Sequence, residues 1–127
     1  MARSRPVQRE KAEQANIVQL LRSIGSAVYV LGTRRPRGEY QGTCQTPGIP
    51  DLFVFLPTLG NVCRSVWIEV KAADGRLSDA QTAFSVLCKT SNTAYVTGGL
   101  GVVIAWLIHN GYLADTQVPH YRQVNET

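Results

Sequence analysis

The feature that most constrains the fold is an alternating segment in the middle of the chain, SVWIEVKA at residues 65–72. Apolar side chains occupy every second position from Val66 to Val70, which is the periodicity of a β-strand with one buried face. The opposite face carries two charges, Glu69 and Lys71. A purely structural strand seldom places two charges among such residues, although a surface salt bridge on a half-exposed strand is the alternative interpretation. We therefore expect this strand to carry chemistry.

The remaining patterns predict an α/β fold. An apolar stripe of helical spacing ends at Gly25, where a helix would stop, and a Ser-x-x-Gln capping box at residues 78–81 starts a second helix. Further strands are predicted at residues 27–31, 52–56 and 93–98, and a last apolar helix at 99–112. The order is α-β-β-β-α-β-α, which predicts a small mixed β-sheet flanked by helices, with the second and third strands forming a hairpin.

The length of 127 residues fits a single domain. We expect a flexible basic arm at residues 1–9, one domain at 10–113 and a polar C-terminal tail at 114–127. Between them, the Gly-, Pro- and Arg-rich stretch at 32–50 predicts a long basic loop. Residues 1–40 hold eight basic and three acidic side chains, a net charge of +5, whereas the rest of the chain has five basic and six acidic ones. The front of the chain thus suits a polyanion, with nucleic acid preferred over an anionic membrane.

Several classes of protein are excluded. Three widely spaced cysteines, Cys44, Cys63 and Cys88, make neither a disulfide framework nor a zinc site, and the two histidines lack acidic neighbours at ligand spacing. The basic start has no apolar stretch behind it, and no segment is long enough to cross a bilayer. No Gly-rich phosphate loop followed by Lys-Ser/Thr is present, so a nucleotide cofactor is not expected. These features favour a cytoplasmic protein without a membrane partner.

The candidate chemistry lies between residues 51 and 71. Asp51 precedes one predicted strand, while Glu69 and Lys71 share a face of the next. Paired strands lie about 4.8 Å apart, so the two carboxylates can converge on one Mg²⁺ ion, which prefers carboxylate oxygens and retains several waters. A lysine beside such an ion can stabilise negative charge on a phosphate or hold the attacking water. Asp, Glu and Lys together form a minimal apparatus for metal-assisted phosphodiester hydrolysis.

These residues also carry a resemblance to a known family. The stretches GIPDLFVFL at 48–56 and WIEVKAADGRLSDAQTAF at 67–84 resemble the VRR-NUC domain, a branch of the PD-(D/E)XK nuclease superfamily whose stand-alone members are of viral and bacterial type. The family's glycine-hydrophobic-Pro-Asp motif stands at residues 48–51, its Glu-Val-Lys at 69–71, and its Gly-Arg-Leu-Ser with a following Gln at 75–81. The resemblance covers residues 10–112 and implies a restriction-endonuclease-like core and Mg²⁺-dependent cleavage of DNA, with Mn²⁺ as a substitute.

The resemblance also implies the roles of the site residues. Asp51, Glu69 and the backbone carbonyl of Val70 would ligate the metal, Lys71 would assist catalysis, and Gln81 would lie in or next to the site. The family carries a further acidic residue on its first helix, directed at the metal. Glu13 is preferred for that position because it lies nearer the buried stripe, and Glu10, one turn earlier, is the alternative. Either could instead be an ordinary solvated helix charge.

Arginines supply the expected DNA contacts. Arg34, Arg35 and Arg37 lie on the loop that leads to Asp51, where they could grip phosphates, and Arg76 is expected to join them. Simple solubility is the alternative role for the loop arginines.

The expected function is a metal-dependent DNA endonuclease. Because no motif for base-specific contacts is present, we expect structure-selective cleavage of branched DNA such as Holliday junctions. Two cuts need two active sites, so a homodimer is expected, held partly by the apolar segment at residues 100–108. The alternatives are a non-cleaving, structure-selective DNA-binding subunit and a nuclease acting on flaps or plain duplex DNA.

Overall fold

The computed structural model describes residues 6–31 and 46–115. Seven elements follow in the predicted order: α1 (Pro6–Ser23), β1 (Ala27–Val30), β2 (Leu52–Phe55), β3 (Ser65–Val70), α2 (Asp79–Thr90), β4 (Tyr95–Gly98) and α3 (Leu100–His109). The predicted α/β class and order of elements are confirmed. In this part of the chain, no helix combines the length and the apolar character that crossing a bilayer requires.

The four strands form one mixed sheet in the order β1-β2-β3-β4. The β1/β2 and β2/β3 pairs are antiparallel, so the predicted hairpin of the second and third strands is confirmed, and β3 pairs in parallel with β4. Parallel neighbours need a long crossover connection, and α2 supplies it between β3 and β4. As a result, the carboxyl end of β3 lies beside the start of β2 and the end of β4, which brings Asp51 next to the charged end of β3.

The core occupies one face of the sheet. Alternate residues of β2 and β3 point to that face, where α1 and α3 cover them. The buried side chains of this cluster are aliphatic and include Ile17, Leu20 and Leu21 of α1, Leu52, Val54, Val66, Ile68 and Val70 of the sheet, and Val103, Ile104 and Leu107 of α3. The predicted division of β3, with valines and isoleucine inward and the charges on the other face, is confirmed.

The helix ends follow the local sequence signals. Gly25, with a φ of +95°, lies just beyond the last residue of α1, and the Ser26 N–H donates to the Leu21 carbonyl to close the last turn. At the start of α2, the Ser78 hydroxyl accepts from the Gln81 N–H, and the Gln81 side chain accepts from the Ser78 N–H at 2.8 Å. The predicted capping box is confirmed, and it fixes where α2 leaves the loop after β3.

Helix α3 uses most of its apolar surface inside the protein. Val103, Ile104 and Leu107 are buried in the core, while Gly101, Val102 and Ala105 remain exposed. The sequence predicts that the apolar segment at residues 100–108 helps to hold a homodimer; in the structure, part of that apolar surface packs inside the protein against α1 and β4. The homodimer stays a prediction.

Some predicted segments lie outside the described residues. They are most of the basic arm (1–5), most of the basic loop (32–45) with its three arginines and Cys44, and most of the polar tail (116–127). Helix α1 begins at Pro6, four residues before the predicted start of the domain at residue 10. Of the described cysteines, Cys63 is exposed and Cys88 is buried, and both are free thiols.

Candidate metal-dependent active site

Asp51 and Glu69 face each other where the two central strands of the sheet meet, at the start of β2 and the end of β3. The β2/β3 register pairs Leu52 with Ile68, so Asp51 faces Glu69 one position further along. Asp51 accepts a hydrogen bond from the Val70 N–H at 2.8 Å. Because the N–H and C=O of a strand residue point to the same side, the Val70 carbonyl also lies on the side of Asp51. The three groups that the sequence assigned to a metal are therefore brought together.

A glycine makes this arrangement possible. Gly48 has a φ of +89°, and a methyl group at its Cα would overlap the backbone carbonyl of Ala80 in the first turn of α2. Only glycine combines this left-handed conformation with so close an approach. The glycine of the 48–51 motif thus allows the chain to pass against α2 and turn into β2 with Asp51 at the mouth of the strand.

Glu69 is a buried acid beside a second acid. Only 3% of its surface is exposed. The pKa of Glu69 is raised from 4.5 to about 8, mainly by burial and further by a side-chain hydrogen bond with Asp51 and by the charge of Asp51. Lys71 works in the opposite direction, and the charge of Glu10 raises the pKa further. Without a cation, Glu69 therefore holds a proton at neutral pH, and a bound cation would replace that proton.

Lys71 lies beside the carboxyl pair, as the shared strand face predicts. Its Nζ is 4.0 Å from Oε2 of Glu69, and its side chain is 17% exposed. Lys71 is therefore the more exposed partner of this ion pair, and Glu69, with a side chain 3% exposed, is the buried one.

The two glutamates of α1 have different partners. Glu10 accepts a hydrogen bond from the Ala72 N–H at 3.3 Å, directly after Lys71, and its charge acts on Glu69. Glu13 accepts from the Leu100 N–H at 2.8 Å, at the N-terminus of α3. A carboxylate at that position satisfies a free helix N–H and complements the positive end of the helix dipole. The charge of Glu10 therefore acts on the carboxyl pair by raising the pKa of Glu69, whereas the carboxylate of Glu13 connects α1 to the N-terminus of α3.

Each of these glutamates is matched by a glycine. A methyl group on Gly75 would come within 2.7 Å of Glu10 Oε2, and one on Gly99 within 3.0 Å of the Glu13 carboxyl group. The first glycine begins the Gly-Arg-Leu-Ser motif, so the motif makes room for Glu10. Sequence reasoning did not identify these two contacts, because they join residues more than sixty positions apart.

An open cleft adjoins the site. It has a volume of about 420 Å³ and lies between the end of β3 and the start of α3, with Lys71, Glu13, Gly75, Leu77 and Gly99 among its lining residues. Its position lets a polymer reach the exposed side of Lys71.

The other predicted site residues are placed as follows. The Gln81 side-chain carbonyl accepts from the Ser78 N–H in the capping box, and the predicted place of Gln81 in or next to the site stays a prediction. Arg76 is exposed in the loop after β3. Arg9, which sequence reasoning assigned to a flexible arm, lies in α1 and forms a 2.7 Å ion pair with Asp74 of that same loop. The ion pair ties the start of α1 to the segment behind Lys71.

Among the described residues, no group of three or more His, Cys, Asp or Glu side chains is placed to hold a metal ion. The site instead offers two carboxyl groups and a main-chain carbonyl. This donor set fits Mg²⁺, which commonly takes one or two carboxylates and keeps several waters.

Comparison with known proteins gives one family. The model of the VRR-NUC domain matches residues 4–98, which are 95 of the 127 residues. No curated protein and no solved structure gives a significant match. The matched range contains α1, all four strands and α2, and therefore every residue of the carboxyl site. The chain belongs to the VRR-NUC domain family, whose members are nuclease-type domains.

Proposed function

We propose that this protein is a metal-dependent endonuclease that hydrolyses phosphodiester bonds in DNA. The family assignment supports a DNA nuclease in general. The observation that carries the more specific proposal is the buried acid Glu69, hydrogen-bonded to the partly buried Asp51, with Lys71 beside it. A binding module that never cleaved DNA would gain nothing from burying an acid beside a second acid, because desolvating a carboxyl group costs stability unless it is compensated.

Asp51, Glu69 and the Val70 carbonyl are the groups that would hold the metal. When bound, Mg²⁺ supplies a Lewis acid that polarises the phosphate and lowers the pKa of a coordinated water. Asp51 is held in place by the Val70 N–H and Glu69 by burial, so both carboxyl groups are already positioned side by side before a cation replaces the proton on Glu69. Such preorganisation is the main contribution that a protein makes to this type of hydrolysis.

Lys71 acts on the substrate side. Its ammonium group donates hydrogen bonds to the non-bridging phosphate oxygens, where negative charge increases as the water attacks, or it orients that water. At 4.0 Å from Glu69, the ammonium group is beyond hydrogen-bond distance of that carboxyl group, and a phosphate would offer it a closer, charge-assisted contact. Because the charge develops in the transition state, this contact lowers the barrier rather than only strengthening binding.

We assign the helix carboxylate nearest the metal site to Glu10. Its charge acts on Glu69, and it lies next to Lys71 through the Ala72 N–H. Glu13, the residue preferred from the sequence, has its carboxylate on the N-terminus of α3. Its metal-facing role stays a prediction, which the pair of variants Glu10→Gln and Glu13→Gln tests.

We further propose that the substrate is branched DNA, cleaved by a homodimer. A chain with one carboxyl site makes one cut, so the two symmetric cuts that resolve a junction need a second copy. The exposed side of α3, with Val102 and Ala105, is the surface left for the contact that the sequence suggested. Light scattering on the purified protein gives the oligomeric state.

The test is a cleavage assay with labelled four-way junction, flap, single-stranded and duplex DNA, with Mg²⁺ or with a chelator. We expect cleavage only with Mg²⁺, fastest on the junction, and none by Asp51→Asn. Asp115→Asn, the same substitution beyond the C-terminal end of α3, is the matched control and should cut normally. DNA binding without cleavage by the unaltered protein would instead identify a non-cleaving, structure-selective subunit.

A further inference from the structure

The two faces of the sheet differ in chemistry. The face toward α1 and α3 is aliphatic, whereas the opposite face carries aromatic rings from β1, β2 and β3. Three of these rings lie side by side across the strands, since the register pairs Tyr29 with Phe53 and Phe53 with Trp67. Phe55 lies two residues further along β2. We refer to Tyr29, Phe53, Phe55 and Trp67 as the aromatic face.

The aromatic face is continuous and partly open. Phe53 contacts Trp67 with ring centres 4.4 Å apart and Phe55 at 5.0 Å, and Phe55 contacts Tyr29 at 5.9 Å. Within residues 6–31 and 46–115, helix α2 packs on the β3 side of this face, where Phe84 contacts Trp67 with ring centres 5.1 Å apart. On the β1 side, Tyr29 is 55% exposed and Phe55 50% exposed. Contiguous exposed rings of this kind mark a binding surface.

The aromatic face continues directly into the carboxyl site. Along β2, Asp51 comes two residues before Phe53, and along β3, Glu69 comes two residues after Trp67. Side chains two apart point to the same face, and the strand rises about 6.6 Å over that step. The rings and the two acids thus form adjacent rows on one surface. A DNA strand with a phosphate at the acids would place a neighbouring nucleotide over the rings.

We propose that the aromatic face binds unpaired bases of the DNA substrate by stacking, next to the phosphate that is cleaved. This proposal rests on the proposed DNA endonuclease function and adds a physical reason why the enzyme would prefer DNA with unpaired bases. Aromatic rings on an open sheet stack well on bases of any sequence, because every base has a π-face. In a continuous duplex the bases stay stacked on one another, whereas branch points and flaps offer unpaired ones. The face therefore selects for DNA structure without reading sequence.

The location favours DNA over a protein occupant. A second copy of the chain seated on these rings would also lie beside the Asp51–Glu69 pair, where the substrate must bind. None of the four residues is charged, so the rings contribute no repulsion of the phosphate backbone. The surface is thus suited to the part of the substrate next to the reacting phosphate.

The test measures binding by fluorescence anisotropy in a chelator, so that nothing is cut. The probe is a labelled duplex with a short run of unpaired thymines, compared with the same backbone carrying abasic sites in place of those thymines. We expect the unaltered protein to bind the abasic probe roughly tenfold more weakly, from the loss of stacking. The double variant Tyr29→Ala/Phe55→Ala should bind both probes equally and weakly.

Two control variants separate stacking from simple loss of apolar surface. Tyr29→Leu/Phe55→Leu keeps apolar side chains without rings and should behave like the alanine variant. Val62→Ala removes an equally exposed apolar side chain, 55% exposed, from the turn between β2 and β3 and should bind like the unaltered protein. Far-UV circular dichroism and light scattering verify that each variant is folded and of unchanged mass.

If the unaltered protein cleaves DNA with Mg²⁺ but binds the two probes equally, the stacking proposal is wrong and the proposed nuclease function still stands. A change of mass in the ring variants would also overturn it, since the face would then hold a second copy. If the unaltered protein neither bound nor cleaved any DNA, the proposed function would fail together with it.

Discussion

Replacing Glu69 with glutamine should remove most of the pH dependence of stability that this site imposes on the metal-free protein. The pKa of Glu69 is about 8 in the folded protein and near 4.5 when the chain is unfolded, because burial and the neighbouring Asp51 disfavour the ionised form. A carboxyl group whose pKa is raised by folding stabilises the protein only while it keeps its proton. Stability is therefore complete below pH 4.5, falls as the pH rises, and levels off above about pH 8.

The size of the effect follows from the two pKa values. Each pH unit between them costs about 1.4 kcal/mol of unfolding free energy, because the unfolded chain releases a proton that the folded protein retains. Between pH 6 and pH 9 this amounts to roughly 2.5 kcal/mol, since the loss slows once Glu69 itself ionises. Glutamine has nearly the shape of the protonated acid and does not titrate, so Glu69→Gln should lack this contribution.

The assay is urea unfolding in a chelator at several pH values from 6 to 9, for the unaltered protein and Glu69→Gln. Burial also raises the pKa of the Cys88 thiol, but that group is the same in both proteins and cancels in the difference. The variant should become the more stable of the two as the pH rises. If the two stability curves run parallel, Glu69 is not protonated in the folded protein, and the electrostatic description of the site is incorrect.

Five further substitutions test the role of Lys71, the two glutamates of α1 and the cap of α2. Lys71→Ala should slow cleavage at least roughly 100-fold without changing the circular dichroism spectrum or metal binding, because the ammonium group acts on developing charge; loss of metal binding would contradict that role. Glu10→Gln should reduce cleavage more than Glu13→Gln; the reverse ranking of activity would return the metal-facing role to Glu13. Glu13→Ala should lower the unfolding free energy by about 1–2 kcal/mol, because the hydrogen bond from the Leu100 N–H is lost. Ser78→Ala should cost about 1 kcal/mol by removing the cap of α2, as measured by urea unfolding.

The sequence predicted those parts of the fold that depend on local signals. The alternation in β3, the glycine after α1 and the capping box at Ser78 each act within a few residues, and each is present in the structure. Pairing of Asp51 with Glu69 was also predictable, because a hairpin of two adjacent strands brings neighbouring side chains together.

What the sequence could not predict depends on contacts between distant segments. Glu10 and Glu13 differ by one helical turn, and nothing local says that one meets Ala72 and the other Leu100. Similarly, the apolar content of α3 does not say which of its side chains pack against α1 and β4 and which, such as Val102, stay exposed. The aromatic face was missed for a related reason: the rings of β1 and β2 become a surface only when the strands are paired.

The most direct test of the central claim, that the Asp51–Glu69 pair is a metal site, is calorimetric titration of Mn²⁺ into the protein at pH 7 in two buffers of different ionisation enthalpy. Because Glu69 is protonated at that pH and a ligand must be deprotonated, binding of one ion should release about one proton. Asp51→Asn and Glu69→Gln should abolish the binding, and Asp115→Asn should leave it unchanged. Binding without proton release, or binding that survives both substitutions, would contradict the claim.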